Sequence, residues 1–463
     1  MPAGARWRIS DSRQSGEPGS RRARIRAACF PIRQSRSVMR FSSYWLDTCE
    51  PFAGRSRELP GGSCDVLVVG AGITGSAAAL ALARKGASVV VCEAGTVGQA
   101  ASGRNGGMCN NGFAQDYASL SRRLGTELAN RLYLAFDAGV DMVERLIREE
   151  SIDCDFARFG KLKLAAKPEH YDRLVRSQAL LAAGVDPDTR VVSKAELRDE
   201  IGSDRYHGGL LLSKSAGMHV GRYVRGLANA AQARGAHVLE HTPVLGLARQ
   251  AGGAYVARTP LGAIRARQVL LASGISQIGP FGWIRRRIVP VGAFIIVTEP
   301  LPRAVLDRLL PTRRMVTDTR NFVNFFRETP DGRLLFGGRA RFAASDPRSD
   351  EKSGRILQRQ MVAVFPELAT ARIDYCWGGM VDMTANRLPR AGERDGMYYS
   401  MGYSGHGTHM ATLMGTLMAE IMDGRADLNP WSSFDWPAIP GHFGKPWFLP
   451  MVGAWYRIKD FLQ

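Results

Sequence analysis

The chain has 463 residues, is 45% hydrophobic and 23% charged, and carries a formal net charge of +19. That balance excludes a collagen-like, disordered or disulfide-stapled chain and allows two or three domains or one large interleaved fold. No run approaches the roughly 20 apolar residues of a membrane-spanning helix. The seven cysteines form no C-x-x-C pair, which argues for a reducing, cytoplasmic setting and against structural zinc.

Residues 1–38 hold nine arginines against Asp11 and Glu17, with no sustained hydrophobic periodicity. This composition predicts a disordered basic leader. It has neither the apolar stretch of a secretory signal nor a clear amphipathic face. The functional start is expected at Met39, just before Phe41, Tyr44, Trp45 and Leu46.

The run from Cys64 to Gly70 is short and continuously apolar, as for a strand buried on both faces. Gly70-Ala-Gly-Ile-Thr-Gly75 follows, then an Ala/Leu-rich helix closed by Gly86. A second strand, Ser88–Cys92, ends in Glu93. Gly70 permits the turn, Gly72 lets backbone amides approach a pyrophosphate, and Gly75 lets the helix pack close to the sheet. Ile73 and Thr74 open the helix, whose N-terminus offers unpaired N–H groups and a positive dipole end. Glu93, followed by Ala94, is placed to accept ribose hydroxyls. Together these elements predict a dinucleotide site but do not separate NAD from FAD.

Residues 98–112 read GQAASGRNGGMCNNG, too glycine-rich for a helix or strand interior. The expectation is a backbone running along a long, flat cofactor through Asn105, Gly106 and Gly107, with Ser102 or Arg104 near the phosphates. A mid-chain helix over 223–234 precedes strands at 237–240 and 268–273, the latter closed by Gly274. A third glycine segment, Gly402-Tyr-Ser-Gly-His-Gly407, opens a helix from Thr408. It is expected to face the pyrimidine edge of a reduced flavin through Gly402, Ser404, Gly405, Gly407 and Thr408. His406 at the fifth position of this near G-x-S-x-G segment argues against Ser404 as a hydrolase nucleophile.

The block CDVLVVGAGITGSAAALALARKGASVVVCEAG, with SGRNGG, RLLFGGR, WGGMVDMTANRLPRAG and MGYSGHG, resembles the D-amino-acid-oxidase-type family of FAD-dependent amine oxidoreductases. The similarity runs from about residue 41 to the end and is nearest the branch that includes gamma-glutamylputrescine oxidoreductases. It implies an α/β fold in which a Rossmann-like FAD-binding domain (39–118, 205–281 and 380–425) interleaves with an α+β substrate domain (119–204 and 282–379). The substrate domain is expected to be built on an antiparallel sheet that walls the flavin ring, with one long helix over 119–149. The tail, 426–463, is expected to pack on the body. Val244 matches the family position whose backbone faces the adenine.

The resemblance implies oxidation of a C–N bond by hydride transfer to flavin N5, giving an imine that hydrolyses. The substrate is a gamma-glutamylputrescine-like amine, an N-methyl amine or an amino acid, and oxygen or another acceptor takes the electrons. Arg327 resembles the position that holds a substrate carboxylate, a task suited to a guanidinium; a structural arginine is the alternative. Trp377 is either an aromatic wall or core packing. His406 and Tyr403 either touch the flavin or serve only the loop. FAD is expected to bind noncovalently, because Arg104-Asn105 stands where relatives with a covalent link place a histidine. His237-x-x-Glu-His241 falls in a strand context, not the helix that zinc use requires, so no metal is expected. A tRNA-modifying flavoprotein and a non-catalytic flavin-binding subunit are the competing readings; no nucleic-acid partner is expected, and the oligomeric state is open.

Overall fold

The computed structural model describes residues 39–54, 58, 59, 61–274, 276, 278–338, 347–444 and 446–462. The basic leader over 1–38, and Arg339 of RLLFGGR, lie outside the described residues.

Side chains alternate across a strand, so a run buried on both faces must be apolar throughout. Ser63–Val69 obeys this: Val66 and Val68 enter one core, Leu67 and Val69 another. Around it, Met397–Met401, Gly262–Leu271, Val89–Cys92 and His237–Leu239 complete a five-stranded parallel array. Arg390–Arg394 closes one edge as the antiparallel partner of Met397–Met401. Gly246–Arg249 and Tyr255–Thr259 form an antiparallel ribbon on the first half of Gly262–Leu271.

Helices Ile73–Arg84, Val220–Ala233 and Gly407–Met422 share the core on the Val66 side. The first and last of them touch closely. A Cβ added at Gly415 would lie 2.4 Å from the Thr74 carbonyl oxygen. This contact brings the N-terminal turns of two helices, far apart in sequence, to one end of the sheet.

The second sheet has eight strands in the order 373–383, 289–298, 334–338, 324–328, 315–318, 161–164, 209–212 and 190–192. Its pairs are antiparallel, as expected, except that Lys161–Leu164 runs parallel to Met315–Asp318. One face packs Phe294, Ile296, Phe326 and Phe336 against Leu357, Met361 and Val364 of helix Pro347–Val364. The register carries one row across the opposite face: Trp377, Ile295, Gly337, Phe325, Thr317, Lys163 and Leu210 are successive cross-strand partners.

Three sequence expectations need correction. The single helix over 119–149 is two helices, Tyr117–Leu124 and Thr126–Glu149, broken at Gly125 with φ of 83°. The domain edges also move. Strand Gly209–Leu212 pairs with Lys161–Leu164, so the substrate-side sheet continues past residue 205. Ile373–Met383 is one strand of that sheet, so it also crosses the edge placed at 380. In the tail, Trp431 is buried and the His442 ring lies 2.9 Å from the Ile288 carbonyl. Helix Leu449–Leu462 leaves Met451, Trp455 and Ile458 exposed. Among the described residues, no helix is long and apolar enough to cross a membrane.

Candidate functional site

The first glycine turn leaves strand Ser63–Val69 with Gly70 at φ 106°, in the region open to glycine. Gly72 is the N-cap of helix Ile73–Arg84. A Cβ at Gly75 would lie 1.8 Å from the Gly70 carbonyl oxygen, so only glycine allows the helix to start this close to the turn. Glu93, at the end of the neighbouring strand, reaches across. Its carboxylate accepts from the Ala71 amide at 2.8 Å and the Gly95 amide at 2.9 Å. The half-buried Ala94 lies between those contacts in sequence.

The second glycine segment wraps this helix end. Ser102 Oγ accepts from the Ile73 amide at 2.9 Å, and a Cβ at Gly72 would lie 2.8 Å from the same oxygen. Asn105 folds its own loop: its amide donates to the Ala101 and Ser102 carbonyls, and its oxygen accepts from the Gly107 amide. Gly106 brings this backbone under the second sheet, where its Cβ would sit 3.0 Å from the Phe325 ring.

The third segment turns through positive φ at Gly402, Ser404 and Gly405 before helix Gly407–Met422. Tyr403 buries its hydroxyl 2.9 Å from Thr74 Oγ1 and 2.8 Å from Ser400 Oγ. Thr408 Oγ1 donates to Asn105 Oδ1 at 3.5 Å. The three turns are therefore joined pairwise, Ile73 to Ser102, Thr74 to Tyr403 and Asn105 to Thr408. Gly274 closes strand Gly262–Leu271 beside them, with its Cβ position 3.9 Å from Asp382 Oδ2. Two helix N-termini and a glycine backbone facing one space suit a long cofactor with a pyrophosphate and a flat ring.

Arg327 is 2% exposed, and its guanidinium donates to the carbonyls of Gly107, Met218 and Glu328. Burial pulls its pKa down to about 10. It ties the second glycine segment to the sheet through Nε and Nη1, both of which bond backbone carbonyls. Trp377 is fully buried and donates its indole N–H to the Arg104 carbonyl at 2.9 Å, so it packs the core at the end of the Phe325 row. Arg104 turns away from the phosphate side and bonds the Gly378 carbonyl at 2.6 Å.

His406 is half-buried, with Nδ1 unpartnered, and packs edge-on to Phe136. Desolvation first, then Lys161, His409 and Lys163, hold it neutral by lowering its pKa well below the usual histidine range. Val244 is buried in the core on the far face of the parallel sheet. His237–Leu239 is a strand, and Glu240 accepts the Val97 amide. Among the described residues, no group of three or more His, Cys, Asp or Glu is arranged to hold a metal ion.

Asp382 went unnoticed in the sequence. Its Oδ2 accepts from the Gly402 amide at 2.6 Å, and its backbone oxygen accepts from Ser404. Burial pushes its pKa up to about 6, against the pull of the amides around it. The acid of WGGMVDMT, at the end of a mostly apolar strand, was the signal available.

Comparisons with known proteins agree with this geometry. A family profile described as FAD dependent oxidoreductase matches residues 65–421. Gamma-glutamylputrescine oxidoreductase of Escherichia coli is 31% identical, over 90% of this chain and 98% of its own length. A probable oxidoreductase, OrdL, of Haemophilus influenzae is 34% identical, over 82% of this chain and 87% of its own length. Among solved structures, glycine oxidase from Geobacillus kaustophilus superposes with a TM-score of 0.67 at 21% identity, covering 82% of this chain and all of that one.

Proposed function

The chain belongs to the FAD-dependent oxidoreductase family of the D-amino-acid-oxidase type, and from that premise we propose that it oxidises the C–N bond of a small amine. The observation that carries this reading is the joining of three glycine turns, one of which meets the second sheet where Gly106 lies against Phe325. FAD, held at Gly70–Gly75, Glu93, Ser102 to Gly107 and Gly402 to Thr408, supplies a two-electron acceptor when bound.

The protein's part is positioning and charge. Phe325 offers an apolar surface beside the Gly106 backbone, against which the substrate carbon can lie. Only a neutral amine releases hydride from the adjacent carbon, and His406, held neutral by burial with Lys161 and Lys163 bearing on it, marks a site where a cationic amine is disfavoured. The amine R–CH2–NH2 loses one hydride and one proton to become R–CH=NH. Water then converts it to R–CHO and ammonia, and the electrons pass on to oxygen or another acceptor. The likeness to gamma-glutamylputrescine oxidoreductase favours an extended amine over a two-carbon amino acid. Cys109 and Cys376 are both fully buried, and burial raises both thiols, that of Cys376 to about 12, which supports noncovalent binding of FAD.

An amine panel under air, with peroxide and flavin absorbance followed together, tests the reading. Turnover of an extended amine is expected; a flavin-loaded protein inert to every amine, in air and without it, contradicts it.

A further inference from the structure

Strand Lys161–Leu164 sits inside the second sheet, yet every second residue is a lysine. Leu162 and Leu164 enter the core beneath helix Pro347–Val364. Lys161 and Lys163 therefore project from the face that carries the ring wall. An ammonium group drawn out of water pays a desolvation cost, so each requires a partner or a use. Lys161 has a partner: its Nζ donates to the Asn111 carbonyl at 3.0 Å, and the residue is 5% exposed. Lys163 has none. Among the described residues its ammonium makes no hydrogen bond or ion pair. Asp116 and Arg173 are the other charged groups that bear on it. The Asp116 carboxylate is committed to the Ser119 amide and the Ser177 hydroxyl.

The row across the sheet shows where Lys163 opens. Trp377, Ile295 and Gly337 are buried at one end and Leu210 at the other. Only Phe325, Thr317 and Lys163, three consecutive members, remain half-buried. Those three form a partly exposed stretch of the row, with an aromatic end at the Gly106 backbone and a cationic end at Lys163. Thr317 between them also has no side-chain hydrogen bond among the described residues. Both Lys161 and Lys163 bear on His406 of the third glycine turn. Two strand spacings, roughly 10 Å, separate Phe325 from Lys163. An α-amino acid, whose carboxylate sits one carbon from the nitrogen, cannot reach from one end to the other.

Resting on the amine-oxidation reading above, we propose that Lys163, with Thr317 beside it, is the subsite for a carboxylate at the far end of an extended amine substrate. Arg327, the residue that sequence reasoning nominated, is buried and bonded to the Gly107 and Met218 carbonyls.

The test compares 6-aminohexanoate with hexylamine, equal in chain length and different in the terminal carboxylate. For the wild-type holoenzyme, kcat/KM is expected to favour 6-aminohexanoate. Lys163→Gln is expected to cut that ratio by roughly 10- to 100-fold, the loss of one charge-assisted contact, and Lys163→Arg to restore most of it. Lys163→Met, of similar volume, is the second variant if the glutamine does not fold, with FAD content and melting temperature confirming each. Calorimetric binding of 6-aminohexanoate to the same proteins gives a readout independent of turnover. If no amine is oxidised but binding weakens in Lys163→Gln, the subsite stands and the reaction is reassigned. An unchanged ratio and unchanged binding in folded variants overturn the proposal, as does a wild type that neither prefers nor binds the carboxylated amine.

Discussion

Replacing Gly75 by alanine should loosen FAD without unfolding the protein. The added Cβ would lie 1.8 Å from the Gly70 carbonyl oxygen and 3.2 Å from Val68 Cγ1. The nearer atom is backbone, and Cβ contacts essentially never fall below 3.0 Å, so the helix must retreat by about 1.2 Å or the turn must rotate. Overpacking of this kind costs about 1–3 kcal/mol of stability. The larger effect falls on the cofactor. Amides placed for hydrogen bonds near 2.9 Å no longer reach a phosphate after a shift of about 1 Å. One lost charge-assisted bond weakens FAD binding by roughly 10- to 100-fold. Fluorescence titration of the apoprotein with FAD reads the change, and thermal melting separates it from unfolding. Gly252, with open space around its Cβ position, supplies the control, since Gly252→Ala should bind FAD like the wild type. Wild-type FAD affinity in folded Gly75→Ala would refute the reasoning.

Arg327→Lys should lower stability by about 1–3 kcal/mol, because the buried carbonyls of Gly107 and Met218 lose a shared donor; chemical denaturation measures it, and unaltered stability with a sharply raised KM for carboxylated amines would return Arg327 to the substrate. Asp382→Asn should flatten part of the pH dependence of stability. The folded pKa of Asp382 is raised to about 6, so its contribution is full below the unfolded carboxylate pKa and is lost as pH rises towards about 6. The asparagine should gain up to about 3 kcal/mol over the wild type at pH 8 relative to pH 3.5; parallel denaturation profiles across that range would contradict the assignment. Tyr403→Phe should cost about 1–3 kcal/mol by leaving the buried Thr74 and Ser400 hydroxyls short of a partner, with melting temperature as the readout.

Much of the cofactor side was legible because its chemistry is local. A buried strand, a glycine turn, a helix and a terminal acid declare themselves within about thirty residues; Gly70 and Gly75 make the turn and the close helix approach their spacing implied, and the Glu93 carboxylate holds the Ala71 and Gly95 amides. The substrate side was harder to read because it depends on register. Thr317 and Lys163 are distant in sequence and become neighbours only through a parallel pair inside a mostly antiparallel sheet. The break at Gly125 was hidden because the hydrophobic period resumes at once in Thr126–Glu149. Arg327 had the right residue type, but two of its three carbonyl partners lie more than a hundred residues away, which no local pattern reveals. Asp382 looked like any single acid until the third turn folded its amides onto it.

Anaerobic titration of the FAD-loaded protein with an extended amine, followed by flavin absorbance, tests the account most directly. Bleaching of one flavin per chain at one equivalent of amine, with the aldehyde recovered, is the expected result. An absorbance that stays oxidised through excess amine, in protein shown to hold FAD, would contradict it.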